Sequence, residues 1–519
     1  MTLPSTPFFR SAALFMLMLF PFGIRAQHIE LIRQQPLASY TILLKDGGIF
    51  SISGLTIRYM PSFECPETDV RSVSQESHPF RLVKWDAKRT YFDAVDWKVN
   101  NDTLRCLGYV TALKTKKKLL MEYSFDKQAK LVKERIIPCM EDQHPTALLN
   151  SDRSMLTFVD YSYELLDKKS RLFSQQVAYE LYDDRYNLLA KGVHKLENVY
   201  EDDSLSMWRR AYIAQSTAKL LDDGTLVMHI GNQLYKAAPD DNELISLELN
   251  LDYQITSWQL HERPNGNIVL AGGYSEGVDC GIVLIEFDRE FTLKATDYFP
   301  AEPEFIKGFY ELSYNSHRIP ASHREQQMAF RFLRPLLINS TLEEDGTIRM
   351  AFVGKAGMSH ESNLEARFFR NNLLFAAVKN RNVVYQQAIP YLYKEDFYWS
   401  PGNTDCYAYF GKNSTTVVYQ DYVQNYDEKR QYKFVPTIEK IPFVNKPLHA
   451  SVSYDYASEE IHHRLMEVRP ANGIVYKAKA SYISPTYTRL PDGTYLMGCY
   501  EYGVASLKDV YIGRLVLPE

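Results

Sequence analysis

The sequence lacks the short motifs that mark common cofactor and metal sites. It has no zinc-binding His-Glu-x-x-His pattern, no phosphate-binding Gly-rich loop with Lys, no dinucleotide fingerprint and no calcium-binding loop. Its six cysteines include no Cys-x-x-Cys pair, which excludes zinc knuckles and thioredoxin-type redox motifs. We therefore expect no cofactor and no metal, and nucleotide chemistry has no support in the sequence.

The cysteines are also too far apart to indicate a pairing. In an oxidising compartment they allow up to about three disulfides, but six cysteines permit about 15 pairings and the sequence does not choose among them. Buried thiols that pack as small apolar side chains are the alternative. The positions are Cys65, Cys106, Cys139, Cys280, Cys406 and Cys499.

Long apolar runs are missing except near the amino terminus. There Arg10 precedes an apolar stretch at 11–20, and Ala26 provides a small residue at a cleavage point. The stretch is shorter than the roughly 20 residues that a membrane-spanning helix needs. Residues 1–26 are therefore predicted to be a signal peptide and 27–519 an exported chain without a membrane span. The sequence does not decide between periplasm, cell surface and secretion.

Strong charge of one sign is absent as well. The chain has 59 basic and 64 acidic residues, a net charge of −5, and loss of Arg10 and Arg25 with the signal peptide would change it to −7. Such a mildly acidic, mixed surface argues against nucleic acid as a partner. No low-complexity linker divides the mature part, so we expect one large domain, or two in close contact, while its oligomeric state stays open.

What the sequence has in abundance is aromatic residues and hairpin turns. Tyrosine (37) and phenylalanine (27) favour strands. A turn glycine after Asp or Asn recurs between apolar segments, and successive glycines are 177, 42, 80 and 147 residues apart, which fits a unit of about 42 to 49 residues. The five glycines are Gly47, Gly224, Gly266, Gly346 and Gly493.

A second turn, centred on Asp, falls inside the same unit. It occurs after Phe125, Tyr182 and Phe287, each time between two apolar segments. Residues 257–299 then contain four predicted strands, which is the size of a propeller blade. We therefore predict an all-β fold, a β-propeller of about seven four-stranded blades, with six or eight also compatible with the length. Paired β-sandwiches are the alternative.

On these turn glycines, and on Gly272-Gly273, the chain resembles kelch-type and related repeats of exported bacterial propeller proteins, as found in Bacteroidota. The resemblance is clearest over 215–300 and 485–515. It implies a fold and no activity, since propellers carry many functions. Residues 301–335 break the period, and 301–321 are predicted to be a long loop on one face, where function is often placed.

Two motifs resemble catalytic or metal sites and have plainer interpretations. Residues 273–277 match the Gly-x-Ser-x-Gly nucleophile elbow, but a strand follows where the elbow needs a helix, so we expect an ordinary connection between strands. Glu459, Glu460, His462 and His463 have a Glu-x-x-His spacing, but their surroundings favour a hairpin with exposed charges.

The densest aromatic segment spans 391–410, and most of its rings are expected in the core. Tyr398 and Trp399 are the candidates for stacking against a sugar ring. The sequence thus predicts an exported binding or interaction protein whose partner is a glycan or a cell-envelope protein. A glycoside hydrolase or lyase with acids at the propeller mouth, and a structural envelope component, are the alternatives, and the first would need two carboxylates in one cleft.

Overall fold

A computed structural model gives the architecture of the chain. It describes residues 27–517 apart from 36–39, 44–47, 54–55, 63–68, 70, 75–89, 101–102, 113–116, 139–145, 151–153, 168–171, 202–217, 231–232, 240–243, 250, 277–278, 307–333, 361–362, 396–405, 422–424, 428–430, 434–447, 471–480, 491 and 503–506. The signal-peptide segment and the aromatic pair Tyr398 and Trp399 lie outside the described residues, so both stay predictions.

Thirty-three strands are described, and they form antiparallel sheets of consecutive strands. The first half of the chain contributes β1 (His28–Gln35), β2 (Tyr40–Leu43), β3 (Ile49–Ser53), β4 (Thr56–Met60), β5 (Arg71–Ser74), β6 (Thr90–Asn100), β7 (Thr103–Ala112), β8 (Lys117–Phe125), β9 (Leu131–Ile137), β10 (Thr146–Leu149), β11 (Leu156–Asp167), β12 (Leu172–Tyr182), β13 (Leu188–Glu201), β14 (Ala218–Leu220), β15 (Leu226–Ile230), β16 (Gln233–Ala237) and β17 (Ile245–Glu248).

The second half continues the pattern with longer strands. It contains β18 (Gln254–Glu262), β19 (Ile268–Glu276), β20 (Asp279–Phe287), β21 (Leu293–Pro300), β22 (Arg334–Leu342), β23 (Ile348–His360), β24 (Asn363–Lys379), β25 (Asn382–Glu395), β26 (Tyr407–Phe410), β27 (Ser414–Asp421), β28 (Leu448–Asp455), β29 (Ile461–Leu465), β30 (Glu467–Pro470), β31 (Ser481–Arg489), β32 (Tyr495–Tyr502) and β33 (Leu507–Val516).

Seven of the sheets are runs of four consecutive strands, and we number them blades 1 to 7 from β2–β5 to β26–β29. Blade 8 has the order β31-β32-β33-β1, with β30 added in parallel at the edge of β1. The amino-terminal strand thus completes the last blade by pairing antiparallel with β33, His28 opposite Val516. This closes the ring, so the predicted propeller is confirmed and the sandwich alternative is wrong.

The described residues hold eight such sheets, the upper end of the expected six to eight. The predicted blade at 257–299 is β18–β21. Hydrophobic cores lie between neighbouring blades, because each sheet packs one face on the blade before it and the other on the blade after it. Val283 and Phe287 belong to the core shared by blades 4 and 5, whereas Ile282 and Leu284 face blade 6.

The turn chemistry also follows the prediction. Gly224, Gly266, Gly346 and Gly493 all have φ between 83° and 85°, and each lies in the turn from the first to the second strand of its blade. The fifth predicted glycine, Gly47, lies outside the described residues. The Asp turns join third to fourth strands, and the fourth turn residue has φ near 60° at Ala129, Tyr186 and Phe291.

Three of the cysteines are buried thiols, Cys106, Cys280 and Cys406. This confirms the thiol alternative for them. Burial raises the pKa of Cys280 to about 12, and the nearby Asp279 carboxylate acts in the same direction, so this thiol stays protonated at neutral pH. The other three side chains lie outside the described residues.

Candidate functional site

The two faces of the ring carry different connections. Turns from first to second strands and from third to fourth strands lie on one face, which we call the turn face. Connections from second to third strands and from one blade to the next lie on the opposite face, the connection face. Of the predicted loop 301–321 the structure describes 301–306, which follow β21 on the connection face; residues 303–306 form one helical turn and Phe305 is buried.

Side chains of the first strands of neighbouring blades form a polar strip that borders the centre of the ring. The strip consists of Lys219 on β14, Gln259 and His261 on β18, and Asn339 and Ser340 on β22. First strands hold this position because they are the edge strands that contact one another from blade to blade, β10 with β14, β18 with β22 and β22 with β26. We call these five residues the inner polar strip.

Hydrogen bonds fix most of the strip. The Gln259 side-chain oxygen accepts from the Ser340 hydroxyl at 2.6 Å and from the Ser340 N–H at 2.8 Å. Asn339 donates through Nδ2 to the carbonyl of Ala408 on β26 at 3.1 Å. The strip therefore connects blades 5, 6 and 7, and its amides have a single orientation.

His261 is the titratable centre of the strip. Its Nε2 lies 2.7 Å from the Ser340 oxygen. Because the only proton of that hydroxyl goes to Gln259, the imidazole donates and the hydroxyl accepts. Desolvation, and then the charges of Lys219 and Arg263, lower the pKa of His261 to about 4. The His261 imidazole is thus neutral at physiological pH. Because it donates to the Ser340 hydroxyl, it does not act as a general base towards Ser340.

Lys219 supplies the positive charge. Its ammonium donates to the backbone carbonyl of Leu260, and its side chain is otherwise exposed. Surrounding protein nevertheless desolvates it and lowers its pKa, while Asp222 acts in the opposite direction. An exposed cation beside neutral amide, imidazole and hydroxyl groups is suited to a ligand with hydroxyls and a negative charge.

The strip was not among the sequence candidates, although the sequence contains a signal for it. Lys219 and His261 both lie five residues before a turn glycine, Gly224 and Gly266. In blades 4 and 5 the turn glycine therefore marks a strip residue on the first strand. Polarity at this position is the feature that sequence reasoning missed.

The serine of the elbow-like motif lies inside a strand. Ser275 is in β19, buried, and pairs with Cys280 across the hairpin. Residues 273–276 are thus strand where a connection between strands was expected, and 277–278 lie outside the described residues. The strand geometry gives Ser275 neither the sharp turn nor the helix that a nucleophile elbow requires.

The Glu and His motif forms a hairpin, as expected. Glu459 is the turn residue with φ of 58°, and β29 then places His462 and His463 on opposite sides. His462 Nε2 lies 3.5 Å from Glu460 Oε2, whereas the His463 ring stacks on Tyr432 at 3.8 Å. Among the described residues no group of three or more His, Cys, Asp or Glu side chains could hold a metal ion.

The aromatic segment behaves as core where it is described. Tyr391 and Tyr409 are buried, and the Tyr391 hydroxyl donates to the carbonyl of Gln420 at 3.0 Å. At the connection face of blade 5, by contrast, Tyr253, Tyr274 and Tyr298 form a triad with ring centroids 4.6 to 5.2 Å apart. Tyr253 and Tyr298 are partly exposed, so this triad presents aromatic surface of the kind on which a sugar ring can stack.

No protein-family model matches the sequence, and no curated protein matches it. Among solved structures the chain is similar to the WD40 domain of SCAP from fission yeast, at 7% identity over 94% of this chain and 98% of that chain, with a TM-score of 0.34. It is also similar to the polysaccharide lyase Uly1, at 10% identity over 81% and 89% of the two chains and a TM-score of 0.28. At such scores the fold rests on the chain's own sheet order. Of the residues that the structure describes, none belongs to a helix long and apolar enough to cross a membrane.

Proposed function

We propose that the protein is an exported binding protein that recognises a hydroxyl-rich, negatively charged ligand, such as an acidic glycan, at the centre of the ring. The observation that carries this proposal is the inner polar strip, in which fixed amides and a neutral His261 lie beside the exposed ammonium of Lys219. Sugar hydroxyls pair with fixed amides, and an acidic group pairs with the ammonium. A cell-envelope protein is the other partner compatible with the sequence.

The orientation of the strip supports recognition because its geometry is already set. Ser340 and Gln259 hold each other through two hydrogen bonds, so a ligand meets donors and acceptors that need little reordering. Fixed groups lose little conformational entropy on binding, which favours affinity and selectivity.

The test is a glycan and polysaccharide screen of residues 27–519, scored for binding and for released product. The first variant is Lys219→Met, which we expect to weaken binding of an acidic glycan at least about tenfold, since it removes a charge-assisted contact. The matched control is Lys191→Met on the exposed outer strand β13, which makes the same change far from the ring centre.

Equal affinity of the Lys219→Met variant and the wild type would refute the proposed site. Release of product would establish an enzyme instead of a binding protein. If no glycan binds but an envelope protein is captured, and Lys219→Met abolishes that capture, the inner polar strip binds a protein partner instead.

A further inference from the structure

The first described residue of the chain lies at the seam where the ring closes. Gln27 immediately precedes β1 of blade 8 and is 5% exposed. Its amide Nε2 donates to the Ser453 hydroxyl at 3.0 Å, and its Oε1 accepts from the Ser451 hydroxyl. Both serines lie on β28 of blade 7, so this one amide ties the residue before β1 to the neighbouring blade.

The contact is built into the blade. Ser453 is itself fixed by Thr416 of β27, since the two hydroxyl oxygens are 2.8 Å apart. Ser451, Ser453 and Thr416 are all buried, and Ser451 has no exposed surface. Buried hydroxyl and amide groups cost free energy when they lack a hydrogen-bond partner. The contact therefore satisfies both the two serine hydroxyls and the Gln27 amide.

We propose that Gln27 is the amino-terminal residue of the mature protein, and that binding of its amide by Ser451 and Ser453 protects it from cyclisation to pyroglutamate. This inference rests on the export part of the proposed function, because it requires removal of residues 1–26. It does not depend on which ligand the ring binds.

The protected reaction is intramolecular and needs no co-reactant. The free α-amino nitrogen of an amino-terminal glutamine attacks its own side-chain Cδ. A new C–N bond forms, the bond from Cδ to Nε2 breaks, and Nε2 leaves as ammonia with a proton taken from the α-amine. In this chain Nε2 is the atom that donates to Ser453, so cyclisation and the closed contact exclude each other.

The test follows the amino-terminal peptide of the full chain, exported by a bacterial host and incubated near neutral pH, by mass spectrometry. The wild type is expected to begin at uncyclised Gln27 and to lose ammonia slowly. Ser451→Ala with Ser453→Ala removes both hydrogen bonds, and we expect about 30-fold faster cyclisation. Ser414→Ala, a buried serine of β27 in the same blade, is the control and should match the wild type.

Three results would overturn the inference. They are an amino terminus other than Gln27, complete cyclisation in the folded wild type, and equal rates in the double variant and the control. If the double variant does not fold, the wild type in increasing urea gives the same answer, since cyclisation should accelerate as the contact opens. A failed ligand screen leaves all these readouts untouched, so the two proposals fail separately.

Discussion

The turn face and the connection face of the ring are built by different rules. On the turn face the chain reverses within a few residues, and every described turn glycine has nearly the same φ. On the connection face the chain between blades is longer, as at 202–217 and 301–333. Local sequence therefore determines the first face, and contacts between distant segments determine the second.

The turn face is also where neighbouring blades are joined by basic side chains. Arg71 of blade 1 donates to the carbonyl of Lys127 in blade 2, and Arg105 of blade 2 donates to that of Asp184 in blade 3. In blade 4, Lys236 donates to the carbonyl of Arg289 in blade 5 at 2.6 Å. Each acceptor is the second residue of an Asp turn. The turn therefore presents a backbone carbonyl that accepts a hydrogen bond from a basic side chain of the preceding blade.

The largest expected effect tests this joint at Glu122, whose carboxylate is 1% exposed between Arg105 and Arg135. Glu122→Ala would leave two guanidinium groups without their buried counterion and should lower the free energy of unfolding by about 3 to 5 kcal/mol. Guanidinium chloride denaturation measures it. The control is Glu467→Ala, which breaks an exposed pair with Arg469 and should cost less than about 1 kcal/mol. Similar losses in both variants would show that the buried Glu122 carboxylate stabilises the fold no more than an exposed ion pair does.

The next prediction separates turn conformation from crowding on the same face. Gly346→Ala adds a Cβ whose nearest neighbour, Arg263 Nη1, is 3.5 Å away, so only the positive φ is penalised, at about 1 to 2 kcal/mol. Gly224→Ala adds the same strain and also places Cβ 2.7 Å from Met155 Sδ and 3.0 Å from Pro239 Cγ. We expect it to cost about 1 kcal/mol more. Thermal unfolding measures the loss of stability in both variants. Equal losses would mean that Met155 and Pro239 move aside without a measurable cost.

The difference between the faces explains which features the sequence could predict. Gly224 and Gly266 predict their turns because few residues other than glycine adopt a positive φ, and the spacing between them gives the blade length. The extra blade was harder to count, because Gly47 is the only such glycine before Gly224 and blades 2 and 3 have none. The closure of blade 8 by β1 could not be predicted from local sequence, since it pairs β1 with β33 near the other end of the chain.

The candidate site was harder to predict for a related reason. His261 and Ser340 are 79 residues apart and meet only because blades 5 and 6 are neighbours in the ring. Nothing local distinguishes Gln259 or Asn339 from other polar strand residues, as their roles come from partners on the next blade. Tyr398 and Trp399 stay predictions because they lie outside the described residues, and a high density of aromatic residues in the sequence does not say which rings point outward.

The smallest expected effect concerns the connection face, where Tyr432 of the segment between β27 and β28 stacks on His463. Desolvation lowers the pKa of His463 from 6.5 to about 4, so the fold favours the neutral ring. The unfolded chain binds the proton first as pH falls. The stability contributed by neutral His463 is therefore complete above about pH 6.5 and is lost as pH falls towards 4.

His463→Phe keeps a ring against Tyr432 and removes the titration. Its free energy of unfolding should decline less than that of the wild type between pH 7 and pH 6, by about 0.7 kcal/mol. His462→Phe is the matched control, because it changes the neighbouring, exposed histidine of the same strand and should reproduce the wild-type slope. If instead the two variants show the same pH dependence, Tyr432 does not hold this segment against a neutral His463.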